Sequence, residues 1–192
     1  MTDHSQTLLY KKINRFTEIS ADSINKLFEI TSTADLKKGK LILKEGTVCK
    51  TIVFVEKGYL RTYVNKDGIE INTDFTFENN FITNLKSLRS NSISDSNIVT
   101  GEDSTIFEFD KDKLLDLYKV SPEIESFGRK LLEQLLISQE EHSNLFKIYS
   151  PTERYHYLLQ HNPNFLQRVS LSQLASYLGV TRETLTRIRR KK

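Results

Sequence analysis

The side chains best placed to do chemistry gather at one end of the chain. From Ser150 to Lys192 there are 8 Lys/Arg and 2 Asp/Glu, a net +6, while residues 1–149 carry the other 20 and 23, a net −3. The whole-chain charge of +3 hides this asymmetry, and its distribution is what points to a polyanionic partner. Within the basic end, the segment SLSQLASYLGVTRETLTRIRRKK predicts two short helices around one tight turn. Leu174, Ala175 and Leu178 face inward, Gly179 permits a left-handed turn, and Thr181 caps the second helix. Val180, Leu185 and Ile188 form that helix's inner face, leaving Arg182, Glu183, Thr184, Thr186, Arg187, Arg189 and Arg190 along the rest. Arg182, Glu183 and Thr184 occupy the first turn, the part of a recognition helix that reaches base edges. There an arginine bonds guanine O6 and N7, and a glutamate accepts from cytosine N4. Arg187, one turn on, reaches a neighbouring guanine or a phosphate, and Ser170, which caps the first helix, joins the expected DNA-contacting set. A basic tail alone reads as a solvated helix end; joined to the Ala175-x-x-x-Gly179 spacing and two caps, it reads as a helix-turn-helix.

The elements that must position this module are also written in the sequence. Ser170-Leu-Ser-Gln173 and Ser150-Pro-Thr-Glu153 both read as capping boxes, the second with Pro at the first helical position, so a helix starts at Ser150 and ends near Pro163. A hinge is expected at Ile148 to Ser150. Upstream, Pro122 opens a helix that runs to Tyr149, about 40 Å at 1.5 Å per residue. Ile124, Gly128, Leu131, Leu135, Ser138, His142, Leu145 and Tyr149 follow the a/d rhythm of a two-stranded coiled coil. The dimer contacts expected from this seam are Ile124, Leu131, Leu135, Ser138, His142 and Leu145. A second stripe, Phe127, Leu132, Leu136 and Phe146, lies beside it, so one stripe can cover the body of the chain while the other meets a second copy; the alternative is that both are buried within one monomer. Between about Ile30 and Asp110 the period is two, in LILKEG, TIVFVEKG, YLRTYV, IEINTDFTF and IVTGEDSTIFEF, which predicts an all-β domain of about 80 residues. Two short helices precede it, one burying Leu8, Leu9 and Ile13, the other, capped by Ser20, burying Ile24, Leu27 and Phe28.

Several chemistries are disfavoured. The lone Cys49 makes no internal disulfide or multi-thiolate metal site, which suits a reducing, cytoplasmic compartment; a redox-sensing role is the alternative to a half-buried strand thiol. His4, His142, His156 and His161 show no metal-ligand spacing, and no Gly-rich phosphate loop occurs, so neither a metal, a cofactor nor an enzyme activity is expected. No run of about 18 apolar residues is present and the opening MTDHSQTLLYKK lacks a signal-peptide core, so no membrane partner is expected.

The order of short helices, β-roll, long helix and terminal helix-turn-helix resembles the Crp/Fnr family of bacterial transcription regulators. GVTRETLTRIRRK is similar to that family's recognition helix, which implies that Arg182, Glu183 and Arg187 read a guanine-containing half-site. KGYLRTYV and LILKEG resemble strands of its cyclic-nucleotide-binding-like domain. The resemblance implies an α+β chain with a sensor domain over residues 1–120, a dimerisation helix over 121–149 and a helix-turn-helix domain over 150–192. It also implies a homodimer on a palindromic double-stranded DNA operator, with RNA polymerase as a further partner and an unknown small-molecule effector or none. The ligand-facing residues implied are Thr83, Asn84, Leu85, Arg89 and Ser94. Two departures stand out. Where nucleotide-binding members carry Gly-Glu-Leu and then Arg-Ser/Thr, this chain has Thr83-Asn84-Leu85 and Ser94-Asp95-Ser96, so cyclic AMP is not the expected effector: the phosphate-facing cation is missing and Asp95 repels the anion. The family's β-hairpin wing has no counterpart before Lys192, and Arg189, Arg190, Lys191 and Lys192 are expected to take over its phosphate contacts. The competing function class is a ligand-binding β-roll whose helical tail engages a protein.

Overall fold

The computed structural model describes residues 4–190. It opens with α1 (Leu8–Phe16) and α2 (Ala21–Glu29), followed by strands β1 (Thr31–Leu36), β2 (Leu41–Leu43), β3 (Thr51–Lys57), β4 (Tyr59–Lys66), β5 (Ile69–Phe77) and β6 (Phe81–Ile82). A one-and-a-half-turn helix, α3 (Leu85–Ser90), precedes β7 (Asn97–Thr100) and β8 (Ser104–Asp110). Six helices close the described chain: α4 (Lys111–Val120), α5 (Pro122–Ile148), α6 (Pro151–His161), α7 (Pro163–Arg168), α8 (Leu171–Leu178) and α9 (Arg182–Arg190). This is an α+β architecture, with two four-stranded sheets in the orders β1-β8-β3-β6 and β2-β7-β4-β5. In the first sheet every neighbouring pair is antiparallel, with Phe54 opposite Phe107 and Ile52 opposite Phe109.

The chain divides into two compact units. One comprises the residues up to Thr62 together with Phe75–Leu136; the other comprises Tyr63–Asp74 together with the residues from Ile137 on. In the first unit Val53, Phe54, Val55, Leu60, Ile106, Phe107 and Phe109 from the strands pack with Leu9 and Ile13 of α1 and Leu27 of α2. The alternation seen in the sequence exists because each strand turns one face to this core. Glu56 anchors α1, its carboxylate accepting from the N–H groups of Leu8 (2.7 Å) and Leu9 (3.1 Å), the orphan donors of a helix start.

The first half of α5 belongs to the same core, which covers part of the expected seam within the chain itself. Ile124 and Leu131 are 0% and 1% exposed within their own chain, and Leu135 packs partly against the same cluster. Leu145 is buried, and His142, half-buried, lies against Phe146 and Tyr177 at 4.7 and 5.8 Å between ring centroids. Of the six seam residues only Ser138 is exposed. The a/d rhythm thus coincides in part with the face that α5 turns inward, which a heptad pattern alone does not distinguish from a seam. The neighbouring stripe is itself divided, with Phe127 buried while Leu132, Leu136 and the adjoining Ile137 are exposed. Gly128 lies on the inward face because a Cβ there would collide with the Tyr118 hydroxyl, so the glycine lets α4 and α5 close.

In the second unit the capping box of α6 is complete. Ser150 Oγ accepts from Glu153 N (3.4 Å) and the Glu153 carboxylate accepts from Ser150 N (2.7 Å). The turn expected as a hinge is braced: the Arg154 guanidinium donates to the carbonyls of Phe146 (2.8 Å), Tyr149 (2.9 Å) and Leu178 (3.2 Å) and covers the Phe146 ring at 4.5 Å. One side chain thus satisfies carbonyls left free at the ends of both α5 and α8.

Candidate functional site

The segment of α8, turn and α9 is built as its residue types require. Ser170 Oγ accepts from Gln173 N (3.3 Å) to start α8. Gly179 ends it with φ 71°, and Val180 N reaches back to Ala175 O (3.0 Å), the six-to-one bond of a Schellman turn. Thr181 Oγ1 accepts from Thr184 N (3.2 Å) and opens α9. Leu174, Ala175, Leu178, Leu185 and Ile188 are all buried, so the two helices share one apolar seam.

The opposite side of α9 is polar and open. Ser170, Thr181, Arg182, Glu183, Arg187, Arg189 and Arg190 are exposed, while Thr184 and Thr186 are half-buried. The two threonines also work inside the helix. Thr184 Oγ1 accepts from Arg187 Nη2 (3.1 Å), and Thr186 Oγ1 donates to Arg182 O (2.9 Å). Hydrogen bonds from its own backbone N–H and from Thr181 hold the Glu183 carboxyl below the usual carboxylate range, with Arg182 adding to the effect. It is therefore an anionic acceptor at neutral pH, set beside arginine donors. Lys191 and Lys192, expected to contact phosphates, lie outside the described residues.

The cassette of the β-roll is arranged in the opposite sense. Asn84 caps α3, its side-chain oxygen accepting from Ser87 N (3.0 Å), while its Nδ2 faces Ser94 Oγ (3.0 Å), Ser96 Oγ (3.2 Å) and Asp95 Oδ1 (3.3 Å). Ser94 is buried and donates to Ser96 O (2.7 Å). Thr83 Oγ1 donates to Thr51 O (2.9 Å) and sits 3.4 Å from the buried Cys49 Sγ. Cys49 N donates to Ser87 Oγ (2.8 Å), which ties the backbone beside the thiol to α3. Of the five expected ligand residues, Thr83, Asn84 and Ser94 are thus bonded to the roll itself, Leu85 is half-buried and Arg89 is exposed. The cation beside the cassette is Lys86, 3.6 Å from Asp95. The sequence points to Arg89 instead, because the approach of Lys86 to Asp95 is made by the fold and carries no local signal.

Two features have no sequence signal at all. Arg154 reads only as part of a capped helix, and Ser176 as an ordinary polar position of α8, although its hydroxyl bonds Asn72 N (3.0 Å) and Glu70 O (3.2 Å). Among the described residues no group of His, Cys, Asp and Glu is placed to hold a metal, and no helix is long and apolar enough to cross a membrane.

Comparison with known proteins agrees with this arrangement. Residues 33–121 match the cyclic nucleotide-binding domain family. A sequence search of curated proteins finds no match. Solved structures align over most of the chain. FixK2 from Bradyrhizobium japonicum has 18% identity and a TM-score of 0.69, with 83% of each chain covered. A protein from Eubacterium rectale assigned to the Crp/Fnr family has 19% identity and a TM-score of 0.65, covering 90% of this chain and 82% of that one. The catabolite activator protein of Thermus thermophilus has 18% identity and a TM-score of 0.56, covering 93% and 84%. Residues 33–121 therefore resemble the cyclic nucleotide-binding domain family, and the chain as a whole shares its fold with these solved structures.

Proposed function

We propose that the protein is a sequence-specific DNA-binding transcription regulator that acts as a homodimer on an inverted repeat. The observation that carries this reading is the division of α9: Leu185 and Ile188 are buried, while Arg182, Glu183, Arg187, Arg189 and Arg190 stand exposed behind a capped turn. A helix so divided rests on its own domain and offers its first turn to the major groove. Arg182 reads a guanine, Glu183 accepts from a cytosine amine, and the arginines of the last turn neutralise phosphates. The modules are a sensor over 1–120, a connecting helix over 121–149 and a reading head over 150–192.

Dimerisation falls to the exposed stripe Leu132, Leu136 and Ile137 rather than to the buried a/d face. Two reading heads joined in this way bind half-sites about one helical turn, roughly 34 Å, apart. Cyclic AMP is not the effector in this reading. Asn84, Ser94 and Ser96 are already bonded to one another, and Asp95 beside them adds a carboxylate that repels a phosphate. Kinship with a cyclic nucleotide-binding domain concerns the roll, and the ligand chemistry depends on the cassette residues.

Selection from a randomised DNA pool at several salt concentrations tests the proposal. Wild-type protein should enrich an inverted repeat with a guanine in each half-site. Arg182→Ala should weaken binding by about 1 to 3 kcal/mol and relax preference at one base pair. A chain ending at Arg189 should bind all DNA more weakly, with a log–log salt slope shallower by about 0.9 for each phosphate no longer neutralised. No enriched repeat, or a motif unchanged by Arg182→Ala, would refute the assignment.

A further inference from the structure

We propose that the tip of the β4–β5 hairpin is a clasp that fixes the helix-turn-helix in its reading orientation, with Ser176 as the catch. Residues Tyr63–Asp74, although flanked by strands of the roll, belong to the same compact unit as the C-terminal helices. β5 is the outer strand in the order β2-β7-β4-β5, and an outer strand carries a row of backbone groups that no neighbouring strand satisfies. Residues 70 and 72, two apart on one strand, turn their backbone groups to the same edge. The Glu70 carbonyl and the Asn72 N–H are the acceptor and donor that a further strand would engage with one residue. Ser176 takes that residue's place. Its Oγ accepts from Asn72 N at 3.0 Å and donates to Glu70 O at 3.2 Å. A hydroxyl is suited to this because it donates and accepts at one atom. The Asn72 side chain is buried and adds a weaker bond from Nδ2 to Gln173 O at 3.4 Å.

The closed clasp leaves Arg182, Glu183, Arg187, Arg189 and Arg190 exposed. It therefore does not mask the reading face. Its effect is to remove orientational freedom from α8, so that DNA binding does not have to order the reading head.

The consequence for DNA rests on the proposed function; the clasp itself does not, and the two are scored separately in the full chain. Amide hydrogen exchange reads the clasp. Ser176→Ala should speed exchange in residues 69–74 and in α8 by about tenfold, as two modest hydrogen bonds are removed, and leave β3 and β8 unchanged. Ser176→Thr, which keeps the hydroxyl, should exchange like wild type. Unchanged exchange in Ser176→Ala overturns the clasp. On DNA, Ser176→Ala should bind the selected operator about three- to tenfold more weakly, with the same motif and salt slope. A tighter complex would make the clasp inhibitory, and an altered motif or slope would make Ser176 a DNA contact; either overturns the orienting role. If wild-type protein enriches no operator, the regulator assignment falls while exchange still decides the clasp.

Discussion

Asn84 and Arg182 both stand at the start of a helix, one in the β-roll and one in the C-terminal unit, and their side chains are used in opposite ways. Asn84 caps α3 with its oxygen and turns its nitrogen on Ser94, Asp95 and Ser96, so the hydrogen-bonding capacity of the cassette is spent on the roll. Arg182 contributes its backbone carbonyl to α9 and leaves its side chain exposed. Polar groups in a folded chain either satisfy one another or wait for a partner, and the second state is tolerable only where water substitutes in the meantime. The contrast separates a region whose polar residues define its own shape from one whose polar residues are offered outward.

Substitutions in α5 should expose the same contrast most strongly. Leu131, inside the roll's core, should cost about 2 to 5 kcal/mol of stability when changed to Ala. Leu136, further along the helix and 59% exposed, should cost no more than about 0.5 kcal/mol when changed to Glu, while sedimentation shows a dimer turned into monomers. A Leu136→Glu protein that unfolds, or one that stays dimeric, would remove the basis for placing the partner on this stripe. The next largest effect belongs to α9. Arg182→Ala should lose about 1 to 3 kcal/mol of operator binding yet unfold at the same urea concentration as wild type. A fall in stability would mean that Arg182 also serves the fold.

How much of this is legible in the sequence depends on whether the signal is local. Caps at Ser150, Ser170 and Thr181, the left-handed Gly179 and the inner faces of α8 and α9 can be read because each depends on residues within one or two turns. The strands can be read from their period. The direction in which α5 turns its stripes cannot, since Ile124 and Leu131 would be apolar whether a β-sheet or a second α5 covered them. In the cassette, the sequence shows which residues differ from the family pattern but not that Asn84 bonds Ser94 and Ser96, because these residues meet only once β6, α3 and β7 are assembled. Ser176 is invisible for the same reason: its partners are backbone atoms far away in the chain, and backbone atoms leave no trace in side-chain patterns.

Alkaline titration sharpens the comparison with a buried group in the first unit. Burial pushes the Tyr118 hydroxyl up to about 12. Between about pH 10 and 12 the unfolded chain gives up this proton while the folded chain keeps it, so the stabilisation is complete below about pH 10 and lost as pH rises through about 12. The loss should approach about 3 kcal/mol, and Tyr118→Phe should flatten that part of the stability profile. On the open face of α9 the direction is reversed. The lowered Glu183 pKa favours the folded state above the ordinary carboxylate range, an advantage that disappears as pH falls through the folded value. An unchanged alkaline slope in Tyr118→Phe would show that other groups drive it.

The smallest expected effect tests the cassette directly. Asn84→Ala removes the cap of α3 and a shared donor to Ser94 and Ser96, and should cost about 1 kcal/mol while leaving operator binding unchanged. Asn84→Asp separates the two roles of the side chain. An aspartate caps as well as an asparagine, but it places a carboxylate where Nδ2 now lies 3.3 Å from Asp95 Oδ1. Repulsion between the two raises the pKa of the pair in the folded state, so the variant should be least stable at neutral pH and recover as pH falls and one carboxyl takes up a proton. Wild type, with a neutral amide at that position, should show no such recovery from this site. Urea titrations of the three proteins from about pH 7 to about pH 4 decide the matter. If Asn84→Asp matches wild type across that range, the amide donor is not what closes the cassette. If Asn84→Ala also gains calorimetrically measurable cyclic AMP binding, the asparagine blocks a nucleotide site that the rest of the roll still forms.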